Sequence, residues 1–164
     1  MIRTLVAALG IGALLSACAS TPPTIPPVAS VDMPRFMGDW YVIAQIPTYI
    51  ERKAFDSVES YRLDAAGKLR PTFRYSTGRA DDQRKHMEPV GRVVPGTNNA
   101  VWEMQFVWPI QAEYVIVDLA PDYSRTIVGR SKRDYVWLMA RQPSLPAPEL
   151  ASAIEKIRAL GYDT

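Results

Sequence analysis

Val101-Trp102-Glu103-Met104-Gln105-Phe106-Val107-Trp108 alternates between two kinds of side chain. Trp102, Met104, Phe106 and Trp108 share one face; Glu103 and Gln105 share the other. Alternation with period two belongs to a half-buried strand, so the aromatic and methionine face is expected to point into a core. The pattern recurs along the chain between Pro, Gly and Asn punctuation. It predicts strands at 40–46, 55–63, 68–77, 86–94, 101–108, 113–119, 125–129 and 135–141. Eight sequential strands with short connections predict an all-β fold, an eight-stranded up-and-down antiparallel barrel whose closure removes exposed edges. After Pro143 the period changes, and Leu150, Ile154, Ile157 and Leu160 recur at helical spacing. One C-terminal α-helix is therefore expected on the outer wall, over Val136, Leu138 and Ala140, with Pro146 and Pro148 at its start and Gly161 at its stop.

A barrel of eight strands holds side chains or one small ligand. The inward set is expected to line such a cavity. It comprises Glu59 and Tyr61 on the second strand, Phe73 and Tyr75 on the third, and Trp102, Met104, Phe106 and Trp108 on the fifth. Tyr114 and Ile116 on the sixth and Trp137 and Met139 on the eighth complete it. Methionine adapts to ligands of irregular shape. The competing reading of the same residues is a filled core. A membrane-spanning barrel would turn Glu103 and Gln105 toward lipid, against the usual apolar outer band, and the chain ends in a helix instead of a strand.

Charge and composition exclude several classes. Lys and Arg number 19 against 17 Asp and Glu, a net +2 that gives no basic stripe for nucleic acid. One His, His86, and one Cys, Cys18, leave little for a metal site, and no metal or cofactor is implied. Ser57 and Ser60 stand in no nucleophile motif, and a carboxylate pair of Glu59 with Asp118 would need both to lean inward, so the expectation is not an enzyme. In an up-and-down topology the loops at one end gather eight positive and four negative residues, net +4. Arg130, Lys132 and Arg133 are expected to form a basic rim suited to an amphiphile with an anionic head.

Met1-Ile-Arg3 followed by an uncharged apolar run to Leu15 reads as a signal peptide, because a dozen apolar residues are too few to span a bilayer. Leu15-Ser16-Ala17-Cys18 resembles the bacterial lipobox. The resemblance implies that residues 1–17 are removed and that Cys18 carries a diacylglyceryl thioether and an N-acyl chain, palmitate or similar. Ala19 in place of Asp implies the outer membrane of a Gram-negative bacterium, facing the periplasm. Four of the twelve residues 19–30 are Pro, so residues 18–30 are expected to be a lipidated Cys and an extended tether. At about 3.1 Å per residue such a tether reaches about 37 Å. Residues 31–164 are expected to be the barrel domain.

Gly38-Asp39-Trp40 at the first strand resembles the Gly-x-Trp signature of the lipocalins. Pro121-Asp122-Tyr123 is similar to the family's Thr-Asp-Tyr turn, with Pro in place of Thr, and Arg141 stands at its late Arg position. With the lipobox, the chain resembles bacterial outer-membrane lipoprotein lipocalins. The resemblance implies that Gly38, Trp40, Asp122, Tyr123 and Arg141 form the barrel base, Arg141 lying across the Trp40 indole. It also implies a lysophospholipid or fatty acid ligand and a role in envelope maintenance. Glu59 stands where many relatives have a small residue. The alternative is a structural lipoprotein with a filled barrel and a protein partner, a second copy in a homodimer included.

Overall fold

A computed structural model describes residues 23–49, 51–78 and 84–164. The expected signal peptide and Cys18 lie outside the described residues. A single turn of helix, α1 (Met33–Phe36), precedes the strands; Asp32 caps it by accepting from the Arg35 amide. Nine strands follow: β1 (Gly38–Ile46), β2 (Phe55–Leu63), β3 (Leu69–Ser76), β4 (Lys85–Met87), β5 (Val90–Val93), β6 (Val101–Val107), β7 (Ile110–Leu119), β8 (Arg125–Gly129) and β9 (Val136–Ala140). A 3-10 turn, Glu51–Lys53, lies between β1 and β2, and α2 (Ala147–Ala159) ends the fold.

All nine strands belong to one antiparallel sheet in the order β4-β3-β2-β1-β9-β8-β7-β6-β5. That is the up-and-down order, with the expected fourth strand divided in two. Its first piece pairs with β3 and its second with β6. Glu88-Pro89 separates them, and proline has no amide to donate to a ladder. The barrel closes where β5 lies against β3. A Cβ on Gly91 would stand 2.8 Å from a Leu69 methyl, so only glycine lets these two strands come so close.

Two apolar layers result. Inside the barrel lie Trp40, Tyr61, Trp102, Tyr114, Trp137 and Met139 among others. Between the barrel wall and α2 lie Val136, Leu138, Ala153 and Ile157. Strand β9 therefore has both faces covered, as its two apolar faces predict.

The tether expected over residues 18–30 is corrected from Pro23 onward. Residues 23–30 run as an arm along the outside of the barrel. Ile25 is fully buried with Val115, Ile127 and Leu138. It fits there because Gly129 has no side chain; a Cβ at Gly129 would stand 3.1 Å from Ile25. The Val28 amide donates to the Ile116 carbonyl (2.9 Å), and Asn98 donates to the Ala29 carbonyl (3.1 Å). Proline-rich chain stays extended, and here the wall supplies the apolar seat and hydrogen bonds that it lacks on its own.

Candidate functional site

The strand directions give the barrel two ends. At one, the mouth, lie residues 47–49 and 51–54, the Trp108-Pro109 turn and the β8–β9 loop. A cavity of about 230 Å³ opens there. Its deeper wall is Phe73, Met87, Met104 and Phe106; its lip is Tyr49, Val107, Ile110 and Ala112. Among the described residues, polar groups enter at Thr48, Tyr49, Glu51, Gln111, Arg130 and Tyr135. Glu51 is buried because the 3-10 turn folds it inward, where it accepts from the Trp137 indole (2.9 Å) and from the Thr48 hydroxyl (2.6 Å). Arg130 lies over the Tyr135 ring at 4.8 Å and pairs with Asp134 at 3.0 Å. A second hollow, about 570 Å³, lies against Pro23, Pro95, Glu103 and Glu113. Its two carboxylates make it a poor seat for an apolar ligand.

Below the cavity the barrel is filled. Trp102 stacks on Tyr114 at 5.2 Å, Phe36 packs on Trp40 at 4.9 Å, and Tyr61 and Trp137 close the cluster. Within this layer Glu59 is 2% exposed. Its carboxylate accepts from the Tyr61 hydroxyl, which in turn meets the Tyr114 hydroxyl. Burial pushes the Glu59 carboxyl up from an ordinary 4.5 to about 7, with Glu51 adding repulsion and the Tyr61 hydroxyl opposing. Burial and the neighbouring Glu59 also hold both tyrosine hydroxyls well above their usual range.

The sequence-expected lining is thus divided. Phe73, Met104 and Phe106 face the cavity. Tyr75 stacks on Phe73 at 5.1 Å. Glu59, Tyr61, Trp102, Tyr114, Ile116, Trp137 and Met139 point inward but pack in the barrel core. Trp108 is corrected outright: it is 81% exposed. The β6–β7 register shifts between Met104 and Val107, and the chain turns at Trp108-Pro109, where proline ends the ladder. Asp118 does not join Glu59; it pairs with Arg125 (2.9 Å) and Lys156 of α2 (2.7 Å). Sequence reasoning missed Met87, Ile110 and Ala112. Ile110 and Ala112 continue the alternation of β7 three residues before its expected start, and that signal was legible.

The opposite end is closed by a plug. The Trp40 indole is fully buried and donates to the Phe36 carbonyl at 2.8 Å. The Arg141 guanidinium lies 3.8 Å above its ring. The same guanidinium donates to the carbonyls of Asp39 (2.8 Å), Arg35 (2.9 Å) and Phe36 (3.0 Å), and so ties α1 across the base. Gly38 has φ +98°, and a Cβ there would stand 3.3 Å from Arg141. Asp122 accepts from the Ser124 amide and hydroxyl, which fixes the turn holding Tyr123 under Arg35 at 4.0 Å.

The chain belongs to the lipocalin family. The family's Lipocalin-like domain matches residues 31–164. Outer membrane lipoprotein Blc of Vibrio cholerae is 26% identical over 154 residues, 92% of this chain and 88% of that protein. The Blc protein of Escherichia coli K12 is 29% identical over 86% of this chain and 80% of its own. Apolipoprotein D of Macaca fascicularis is 31% identical, covering 76% of this chain and 68% of its own. Among solved structures, insecticyanin from the tobacco hornworm superposes with a TM-score of 0.63 at 17% identity, covering 84% of this chain and 77% of that one.

In this lipocalin the basic rim is smaller than expected. Arg130 reaches the cavity. Lys132 is exposed. Arg133 turns away: it donates to the Leu160 carbonyl (3.1 Å) and to the Thr24 hydroxyl (3.1 Å), so it bolts the N-terminal arm to the end of α2. The expected mouth charges at 79 and 81–82 lie outside the described residues.

Proposed function

We propose that this lipocalin is a lipid-anchored binding protein that holds or transfers one single-chain amphiphile, a lysophospholipid or a fatty acid, in the cavity at its mouth. The cavity itself carries the reading. Its walls are mainly aliphatic, aromatic and methionine side chains, and among the described residues its one cation, Arg130, stands at the lip. Apolar burial supplies the affinity at about 25 cal/mol per Å², and Arg130 supplies a partner for an anionic head. Size narrows the class. A volume of about 230 Å³ falls below the range of about 300–1,000 Å³ common for ligand pockets. One acyl chain suits that space better than two, which favours single-chain lipids over diacyl phospholipids.

Cys18 is the proposed site of acylation, with residues 1–17 removed before it. Several acyl chains together give a stable hold on a membrane where one would be marginal. The Blc relatives are named outer membrane lipoproteins, and we assign the same membrane to this chain, the barrel on its periplasmic side, with a role in envelope maintenance. Cys18→Ser is expected to leave the protein unlipidated and without stable membrane anchorage.

Calorimetric titration of the unlipidated Cys18→Ser chain with lysophospholipid, fatty acid, diacyl phospholipid and a neutral sterol tests the ligand. Saturable micromolar binding of the first two alone is the expected result. Binding of none would leave a structural barrel that acts through a protein partner, the reading that the filled lower half favours.

A further inference from the structure

We propose that the mouth of the barrel docks face-down on a phospholipid bilayer, with Tyr49, Trp108 and Ile110 seated in its interfacial layer. The inference rests on the anchor at Cys18 proposed above and goes beyond it, because an anchor alone leaves the barrel free to face any direction.

The apolar surface is concentrated at one end. Seven large hydrophobic side chains are exposed among the described residues, and five of them sit at the mouth: Tyr49, Phe55, Val107, Trp108 and Ile110. Tyr49, Trp108 and Ile110 are 84%, 81% and 69% exposed. Scattered exposed hydrophobics are ordinary, but a contiguous group marks an interaction surface. These lie together, since Val107 pairs with Ile110 across the turn that carries Trp108, and Tyr49, Val107 and Ile110 line the same cavity lip. Tryptophan and tyrosine favour the boundary between headgroups and acyl chains. Exposed cations stand beside them: Arg52, its guanidinium 5.5 Å from the Tyr49 ring, with Lys53 and Lys132. Such a border suits anionic headgroups.

The path of the chain gives the occupant. The arm begins at the mouth, where Pro23 lies near Glu113 and Arg130 and the Thr24 amide donates to Ser131 at 2.9 Å. It ends at the base, where the Val31 amide donates to Asn98. The chain therefore enters the fold at the mouth. Cys18 is five residues before Pro23, and five residues span at most about 18 Å. Anchored acyl chains thus hold the mouth, not the base, next to the membrane. A ligand would then pass between bilayer and cavity without crossing water.

The test uses the full lipidated chain in vesicles of phosphatidylethanolamine and phosphatidylglycerol, some carrying brominated acyl chains. Subtracting the emission of a Trp108→Phe chain isolates Trp108, because the other three tryptophans are buried. Quenching of Trp108 by brominated lipid, with access to iodide reduced about fivefold against the vesicle-free Cys18→Ser chain, supports docking. The Cys18→Ser chain is further expected to bind these vesicles weakly, and Trp108→Glu in that background to weaken it about tenfold. An anchored chain whose Trp108 stays open to iodide overturns the proposal and leaves the ligand reading intact. Flotation of Cys18→Ser equal to the lipidated chain removes the anchor reading, and the depth of Trp108 still decides docking. If neither chain floats, both readings fall.

Discussion

Glu59 makes the barrel less stable at neutral pH than in mild acid, and Glu59→Gln is expected to abolish that difference. The folded chain holds the Glu59 carboxyl at about 7 against an ordinary 4.5, through burial first and the charge of Glu51 after it. Between those values the folded chain keeps a proton that the unfolded chain has released. Stability therefore falls as pH rises across this window, by linkage. Below about pH 4.5 the penalty is absent; above about pH 7 it is complete. The interval, at about 1.4 kcal/mol per pH unit, corresponds to about 3 kcal/mol. Glutamine keeps an oxygen for the Tyr61 hydroxyl and carries no charge. The carboxyls of Asp39, Asp64 and Asp122 are held below their ordinary value by hydrogen bonds, so their contribution is lost only as pH falls below about 4. The window of Glu59 is clear of theirs. Urea unfolding of both chains at pH 4.5, 5.5, 6.5 and 7.5 reads the effect. The variant should gain about 3 kcal/mol on the wild type from the lowest to the highest pH. A constant difference across the series would refute the buried, raised acid.

Trp40→Ala should cost about 3–5 kcal/mol in denaturant unfolding, since it empties the plug under Arg141. Ala112→Trp should fill the cavity lip and weaken binding of a fatty acid at least about tenfold in calorimetry, with stability nearly unchanged because Ala112 is only half-buried. Arg130→Gln should weaken fatty acid about fivefold and leave an uncharged single-chain monoglyceride unchanged, since only an anionic head pairs with the cation at the lip. Ile25→Ala should destabilise by about 2–4 kcal/mol and expose the arm to limited proteolysis, whereas a slack tether would make it silent.

The alternation of β6 and the two apolar faces of β9 made the barrel and the seat of α2 legible in the sequence. Alternation also placed Glu59 on the inward face with Tyr61, and its register beside Trp40 and Phe73 agrees. Three features were hidden for physical reasons. Ile25 has no periodic partner among the prolines around it, and its burial depends on the hollow at Gly129, far along the chain. Glu51 reads as a loop charge until the 3-10 turn aims it at the Trp137 indole. Alternation carries Trp108 inward on paper, but it takes no account of the shift before Val107 or of the turn itself. What alternation gives is direction. Whether an inward side chain lines a space or fills one depends on how partners from other strands meet, and Tyr61, Trp102 and Tyr114 meet face and edge.

The division of the fourth strand has a mechanical consequence. Among the described residues the wall is thinnest at β4, three residues long, whose ladder there is with β3 alone. Few hydrogen bonds oppose its outward swing, so it belongs to the part of the fold that opens at least cost. Met87 of that strand is also a wall of the cavity. The container is therefore rigid at its floor, where Trp40 and Arg141 lock it, and compliant along one stave. A guest longer than the resting space meets give at that stave before it meets any at the floor.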